Sequence, residues 1–459
     1  MTSLPWSCDT FAVVGQAAGG ATLVGKNSDR PVRECQVLRR HPARTGSDRL
    51  QLAYVELPDV PDPLPHVGSS PYWCWGHEMG VNVHGVTIGN EALFTRDWAA
   101  AVATCTDGAG PEPGILGMEL LRLGLERSDT AEAAVGVITD LLEQYGQWGA
   151  GVVSKNRPEA AYDNSFLIAD STAVFVLETT GRDWAVRRME QGPVAISNEP
   201  TIRQDWTSLS PTLQKRAEED GWPGARDRLD VAAAISDPAT PLQVSHIRLQ
   251  RSRQLLAEAV DSREVGFGAA RRILSDHYEG TFLAGPAFNP ARPDFHTLCM
   301  HGHPSGFTWG NTAASMVTHI PTGGQPIMWW NAVTPCTGIY IPVSAAGRAL
   351  PTALGSAGTA HGTGPNPELA EVDRPVEGSY WWTFQELLEA VAGDDLGEHY
   401  EERQPIVRAE FDRLQDEFLA AADTLTATHA DPEDWDALTS RCVERAHQAA
   451  SELLAGFTA

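Results

Sequence analysis

The chain has 459 residues, of which 42% are hydrophobic, and a formal net charge of −26 at pH 7. The length allows one large domain with additions or two to three ordinary domains, and the apolar content is sufficient for a buried core. The negative charge argues against nucleic-acid and anionic-membrane partners, which require a basic face, and no apolar run approaches the roughly 18 residues of a membrane-spanning helix. We therefore expect a soluble globular protein and leave homo-oligomerisation open.

The cysteines predict neither a disulfide framework nor a zinc site, because seven of them are scattered along the chain without a CxxC pair. This usage is typical of a cytoplasmic protein. His301 and His303 are separated by one glycine, but no carboxylate or cysteine lies at a firm ligand spacing from them. The sequence therefore predicts no metal and no cofactor.

Near the N-terminus, residues 10–16 and 21–26 are two apolar runs separated by Ala-Ala-Gly-Gly, which predicts a β-hairpin. Cys8 begins the first strand and Lys26 ends the second, so the hairpin brings these two ends together. Residues 1–7 lack the basic and apolar regions of a secretory signal and are compatible with a short propeptide.

Removal of residues 1–7 leaves Cys8 with both a thiol and a free α-amine of pKa about 8, which can serve as its general base. The alternative interpretation is a small buried strand residue, since free cysteine is often buried.

The later elements alternate between strand-rich and helix-rich stretches, which favours antiparallel sheets with helices outside them over a βαβ series. The expected helices cover residues 115–127, 129–142, 241–260, 401–428 and 432–457, and the expected strands cover residues 164–170, 173–178, 184–189 and 194–197. We predict a main domain over 8–345, a Gly/Pro/Ala-rich irregular excursion over 346–378, and a C-terminal helical segment over 379–459 packed on the main domain.

An N-terminal thiol that attacks an amide requires a carboxylate to hold the α-amine, cationic charge to favour thiolate, and donors for the oxyanion. Asp29 follows the hairpin and can reach the α-amine, while Lys26 can lower the pKa of the thiol. Taken alone, Lys-Asn-Ser-Asp is more often a polar strand end. Its pairing with Cys8 favours a catalytic role.

Six ordered motifs together resemble the secernins, within the C69 dipeptidase-like branch of the N-terminal-nucleophile hydrolases. They include Cys-Asp-Thr-Phe at 8–11, Gly-Lys-Asn-Ser-Asp-Arg at 25–30 and Trp-Gly-His-Glu-Met-Gly-Val-Asn at 75–82, with further matches at 85–92, 120–127 and 164–170. The resemblance covers most of residues 8–345 and is strongest before residue 200. It implies an αββα sandwich and a cysteine amidohydrolase or dipeptidase that acts through an acyl-thioester, without a cofactor, on a small peptide or amide.

Residue roles follow from the matched motifs. The resemblance implies that Cys8 is the nucleophile and that Lys26 and Asp29 are two functional groups at the hairpin end. It also implies that Asn198, in an Asn-Glu-Pro turn, is the oxyanion donor and that Arg248 is a further functional arginine. Lys26 departs from the arginine of the wider superfamily's acylases but agrees with the secernin and dipeptidase branch.

Other candidates have weaker support. Arg251 and Arg253 compete with Arg248, whose assignment depends on the Arg-x-x-Arg register alone. His277 either shapes the substrate cleft or ends a helix. Candidate substrate contacts are Trp75, Asn90 and Glu91.

The positive charges of Lys26 and Arg248 predict attraction of a substrate carboxylate, which fits a small peptide with a free C-terminus.

Two alternative functions stay open. An acyl- or aminoacyl-transferase of the same fold passes the thioester to an amine. The second alternative is a non-enzymatic binding protein, since secernins are associated with regulation of secretion and a fold does not guarantee catalytic turnover.

Overall fold

The computed structural model describes residues 7–105, 111–153, 160–225, 228–237, 239, 245–284, 288–290, 296–302, 310–358, 367–394 and 396–458. The strands are β1 (Cys8–Gly15), β2 (Ala21–Pro31), β3 (Gln36–His41), β4 (Arg49–Gln51), β5 (Glu56–Pro58), β6 (His66–Pro71), β7 (Met79–Asn82), β8 (Thr87–Leu93), β9 (Asp163–Ala169), β10 (Val174–Thr180), β11 (Asp183–Met189), β12 (Gly192–Ile196), β13 (Ser208–Leu209), β14 (Gly310–Ile320), β15 (Ile327–Ala332) and β16 (Ile341–Ser344). The α-helices are α1 (Arg96–Ala103), α2 (Gly117–Arg127), α3 (Ala131–Tyr145), α4 (Leu213–Glu219), α5 (Val231–Ile235), α6 (Ser245–Ser262), α7 (Phe267–Leu274), α8 (Thr352–Gly355), α9 (Tyr380–Ala392), α10 (Tyr400–Ala427) and α11 (Pro432–Thr458).

Two antiparallel sheets form the centre of the fold. The first has the strand order β12-β1-β2-β14-β15-β16, and the second has the order β13-β11-β10-β9-β8-β7-β6-β3. Strands β4 and β5 pair separately with each other. Strand β1 of the first sheet packs against β8 and β9 of the second, so the two sheets face one another.

Helices cover the outer face of each sheet. On the second sheet, α2 and α3 bury an apolar layer in which Leu121 and Ile138 pack near Ile88 of β8. On the first sheet, α6 packs against β12, while α7 packs against β2 and β14. The layers therefore run helix, sheet, sheet, helix, which confirms the predicted αββα sandwich.

The N-terminal hairpin forms as predicted but is longer on its second strand. Gly19 and Gly20 form its turn with φ angles of 68° and 87°, values that favour glycine. Strand β2 continues to Pro31 because its later residues pair with β14, so Lys26 is not the strand end that the sequence predicts. In the resulting register Cys8 lies opposite Ser28.

Buried hydrogen bonds connect the C-terminal helices to the first sheet. The indole of Trp381 in α9 donates to the carbonyl of Ala313 at 2.7 Å, and the hydroxyl of Thr439 in α11 donates to the carbonyl of Pro342 at 2.7 Å. Their apolar faces belong to the same buried cluster as β14 to β16. Before them, the predicted excursion contains α8 and the short 3-10 helix Pro367–Leu369, and its residues 359–366 lie outside the described part of the chain.

Among the described helices, none combines the length and the apolar character that crossing a membrane requires.

Candidate active site

Cys8 opens β1 in the interior of the molecule, with 7% of its surface exposed. Strand β12 pairs with β1, placing Thr10 opposite Ile196, so the turn after β12 carries Asn198 to the beginning of β1. The backbone N–H of Cys8 donates to Oδ1 of Asn198 at 2.9 Å. A side chain thus holds the backbone nitrogen that the predicted cleavage before Cys8 would turn into an α-amine.

Both the oxygen and the nitrogen of the Asn198 side-chain amide form hydrogen bonds. Its Oδ1 also accepts from Nη2 of Arg248 at 2.8 Å, and its Nδ2 donates to the carbonyl of Ala92 on β8 at 3.0 Å. Two donors at the oxygen and a carbonyl at the nitrogen define the orientation of this amide. These contacts favour a role in positioning Cys8, while donation by Nδ2 to an oxyanion stays a prediction.

Of the three arginines of α6, Arg248 is the one that reaches the Cys8 site. Its Nε donates to Oδ2 of Asp9 at 2.8 Å, whereas Arg251 binds Asp276 at 2.5 and 2.9 Å. Burial raises the pKa of Asp9 to about 6, and Arg248 opposes that rise. Arg253 is exposed, and partial desolvation together with the nearby charge of Arg187 lowers its pKa.

Lys26 is buried between the sheets, opposite Thr10 in the hairpin register. Its Nζ donates to the carbonyl of Asn90 at 2.5 Å and lies 3.4 Å from Oε1 of Glu91, which also accepts from the hydroxyl of Thr10. Burial raises the pKa of Glu91 to about 8, against the opposing effects of Lys26 and Thr10.

The predicted substrate contacts Asn90 and Glu91 therefore serve as partners of Lys26. Both are buried, and the side chain of Asn90 lies between Glu78 and Asn164.

Asp29 is the buried carboxylate next to the thiol. Its backbone carbonyl lies 4.0 Å from Sγ of Cys8, and its Oδ1 accepts from the hydroxyl of Thr312 on β14 at 2.7 Å. Burial raises the pKa of Asp29, while Thr312, Arg248 and Ser7 oppose the rise.

The surroundings of Cys8 favour the protonated form of its thiol. Burial raises its pKa well above the ordinary value, and Glu91 and Glu78 add to the rise, while Lys26 alone among these charges opposes it. Lys26 lowers the pKa of the thiol, but the rise that burial causes is larger. Such a thiol requires a general base within reach before it can attack an amide.

A buried network behind the thiol was not predicted from the sequence. Arg30 of β2 binds Glu78 at 3.0 Å and Glu34 at 2.7 Å, and Glu34 also accepts from the indole of Trp73 at 2.5 Å. Tyr162 is buried close enough to Arg30 and Glu78 for their charges to affect its pKa. The signal was present, since five successive polar residues at 26–30 lie in a strand whose neighbours are apolar.

Two expectations about the substrate side stay predictions. Lys26 and Arg248 lie beside Glu91 and Asp9, at the place where a substrate carboxylate is expected to be attracted. The ring of Trp75 stacks on the guanidinium of Arg122 at 3.7 Å and packs against the apolar layer beneath α2 and α3, and its contact with a substrate remains a prediction.

Fold and site together define an αββα sandwich with a buried cysteine at the first residue of an inner strand. No known family model matches the chain. The chain is similar to penicillin V acylase from Agrobacterium tumefaciens, with TM-score 0.40, 13% identity, and coverage of 73% of this chain and 86% of that one.

Two further solved structures are similar to the chain. A mutant of conjugated bile acid hydrolase from Clostridium perfringens gives TM-score 0.41 and 12% identity, covering 74% of this chain and 95% of that one. An N-acylethanolamine-hydrolyzing acid amidase ortholog from Caenorhabditis elegans gives TM-score 0.33 and 10% identity, covering 68% and 92%. Similarities of this size assign no residue role and no substrate to this chain.

Proposed function

We propose that this protein is an amidohydrolase whose nucleophile is Cys8 as an N-terminal residue, of the dipeptidase-like kind that the sequence motifs resemble. The observation that carries the proposal is the bond of 2.9 Å from the Cys8 nitrogen to Oδ1 of Asn198, beside the buried Asp29. Cleavage before Cys8 turns this nitrogen into an amine held next to its own thiol.

The amide bond that precedes Cys8 is buried on both sides, with Ser7 only 1% exposed. An external protease has no access to such a bond, which supports cleavage by the chain itself. Sγ attacks the carbonyl carbon of Ser7, and the proton of the thiol passes to the Cys8 nitrogen as the C–N bond breaks. Water then adds to the thioester carbonyl, and the sulfur regains a proton as the C–S bond breaks. Residues 1–7 leave as an acid.

Turnover repeats the same chemistry on an external amide. The thiol passes its proton to the α-amine as Sγ attacks the substrate carbonyl, and the α-ammonium gives that proton to the leaving nitrogen. Water then adds to the thioester, again losing a proton to the α-amine, and the sulfur recovers a proton when the acid departs. Asp29 and Asn198 hold the amine in both halves.

Intact-mass measurement and N-terminal sequencing test the proposal together with turnover of a panel of dipeptides and N-acyl amides. We expect wild type to begin at Cys8 and to cleave an amide, and Cys8→Ala to remain full length and inactive. Cys442→Ser, at a buried cysteine of α11, is the matched control and keeps both properties.

Turnover by a full-length chain would contradict the role of the α-amine. New amides formed when amines are supplied would favour transfer, and a processed chain inert toward the panel would favour a binding role.

A further inference from the structure

A second cluster of reactive side chains lies at the end of α7, outside the Cys8 site. It consists of two histidines and two cysteines that come from three separate segments, namely His277, Cys299, His301 and Cys336. All four are buried, and their ligand atoms lie within 4.8 Å of one another.

The spacing of these atoms is that of ligands around one ion. Nε2 of His301 lies 3.1 Å from Nε2 of His277, 3.6 Å from Sγ of Cys299 and 3.0 Å from Sγ of Cys336. Zinc bonds of about 2.0–2.3 Å at tetrahedral angles place neighbouring N and S ligands roughly 3.3–3.8 Å apart. The three distances from Nε2 of His301 match this shell after shifts of a few tenths of an ångström.

The surroundings orient the ligands toward a common centre. Nδ1 of His277 lies 2.9 Å from a carboxylate oxygen of Glu279, which leaves Nε2 to face the cluster, as in the carboxylate–histidine–zinc arrangement. The hydroxyl of Tyr400 lies 3.5 Å from Sγ of Cys336. A cavity of about 310 Å³ is lined by His277, Cys336 and Tyr400 and provides a path for an ion.

A second group of imidazoles is a poorer candidate. His41, His66 and His77 also bring ring nitrogens together, but the group has no sulfur ligand, and the guanidinium of Arg122 lies 3.2 Å from Nδ1 of His41. A fixed positive charge at that distance opposes a divalent cation.

We propose that His277, Cys299, His301 and Cys336 bind one zinc ion in a closed tetrahedral Cys2His2 site. Binding releases the two thiol protons to solvent, so the two thiolates neutralise the ion. Four protein ligands leave no coordination position for a substrate, which makes the site structural.

The site is linked to the surroundings of Cys8 by hydrogen bonds. Asn27 of β2 donates to the carbonyls of Leu274 and Leu298, which precede two of the ligand-bearing segments. Met300, between Cys299 and His301, donates its backbone N–H to the hydroxyl of Thr312. That hydroxyl in turn donates to Asp29, so an ion at the cluster holds the strand segment on which Asp29 depends.

The test uses full-length protein with Cys8→Ala, so that the result does not depend on amide hydrolysis. Metal analysis of protein purified without added metal should give one zinc per chain. Cys299→Ser and His301→Ala should each lower that content at least fivefold, while the matched control Cys35→Ser, at another buried cysteine, retains it.

Cobalt exchange into the unaltered cluster provides a measurement that does not depend on whether the variants fold. Cobalt should give the visible absorption of a tetrahedral site together with sulfur-to-cobalt charge transfer, and a chelator should remove both and lower the Tm. Absence of bound metal, zinc content unchanged in Cys299→Ser, or a Cys299–Cys336 disulfide in the native protein would overturn the proposal.

Discussion

The side-chain oxygen and the side-chain nitrogen of Asn198 correspond to two different catalytic roles. A positioning role uses its oxygen, which accepts from Cys8 and Arg248, whereas an oxyanion role uses its nitrogen, which donates to Ala92. Replacement by alanine removes both and should lower kcat about 100-fold with little effect on KM, because either role acts mainly in the transition state.

Asn198→Asp separates the two roles, since aspartate keeps the acceptor and loses the donor. We expect Asn198→Asp to retain clearly more activity than Asn198→Ala in steady-state kinetics. If the aspartate variant is as inactive as the alanine variant, Nδ2 is the essential group, and positioning of Cys8 by Oδ1 does not explain the role of Asn198.

Thr312 controls the ionisation of Asp29. Its hydroxyl opposes the rise in the pKa of Asp29 that burial causes, so Thr312→Val should raise that pKa further. In the proposed mechanism an ionised Asp29 holds the α-amine, so the acidic limb of the kcat/KM profile should move to higher pH. Thr318→Val is the control on the same strand, since the Thr318 hydroxyl has no hydrogen-bond partner among the described residues. An unshifted limb in Thr312→Val would show that Asp29 acts in another way.

At the scale of elements, Gly89 allows β8 to approach the hairpin. A Cβ at this position would lie 2.7 Å from Cδ of Lys26 and 3.3 Å from the hydroxyl oxygen of Thr10. Gly89→Ala should therefore displace Lys26 from Glu91 and lower the free energy of unfolding by about 1–3 kcal/mol.

Gly136→Ala in α3 is the matched control for Gly89→Ala, because a Cβ there meets nothing within 4 Å. Removing a helical glycine should stabilise the protein by about 0.5–1 kcal/mol. Urea unfolding measures both variants. Equal effects would mean that the sheets adjust to a methyl group and that Gly89 has no spatial role.

At the scale of the whole molecule, the C-terminal helices and the sandwich form one buried core. Gln415 of α10 accepts from the backbone N–H of Tyr340 at 2.9 Å and donates to its carbonyl at 3.2 Å. Gln415→Ala leaves both backbone groups unpaired and should destabilise the entire chain by about 1–3 kcal/mol in a single transition.

Gln448→Ala is the corresponding control for Gln415→Ala, because Gln448 is exposed and contacts Glu452 on its own helix. It should change stability by less than about 0.5 kcal/mol. Two separate unfolding transitions, with only one affected by Gln415→Ala, would instead make the C-terminal helices an independent domain.

Local sequence was sufficient to predict the hairpin, antiparallel sheets with helices outside them and the position of Cys8, while the αββα layering was implied by the family resemblance. Strand periodicity and the Gly19-Gly20 turn determine which residues share a sheet, and these signals act over a few residues. The same locality explains an error, because nothing near Lys26 indicated that β14 would extend β2 to Pro31.

The tertiary structure alone decided which side chains meet. Periodicity shows that a face of a strand or helix is buried, but it does not show which residues lie opposite that face. The pairing of Lys26 with Glu91 and of Arg248 with Asp9 therefore depends on the strand order and on how the helix packs. The cluster around His301 has the same origin. Its ligands come from three segments joined by strand pairing and loop packing, so only the spacing of Cys299 and His301 is visible along the chain.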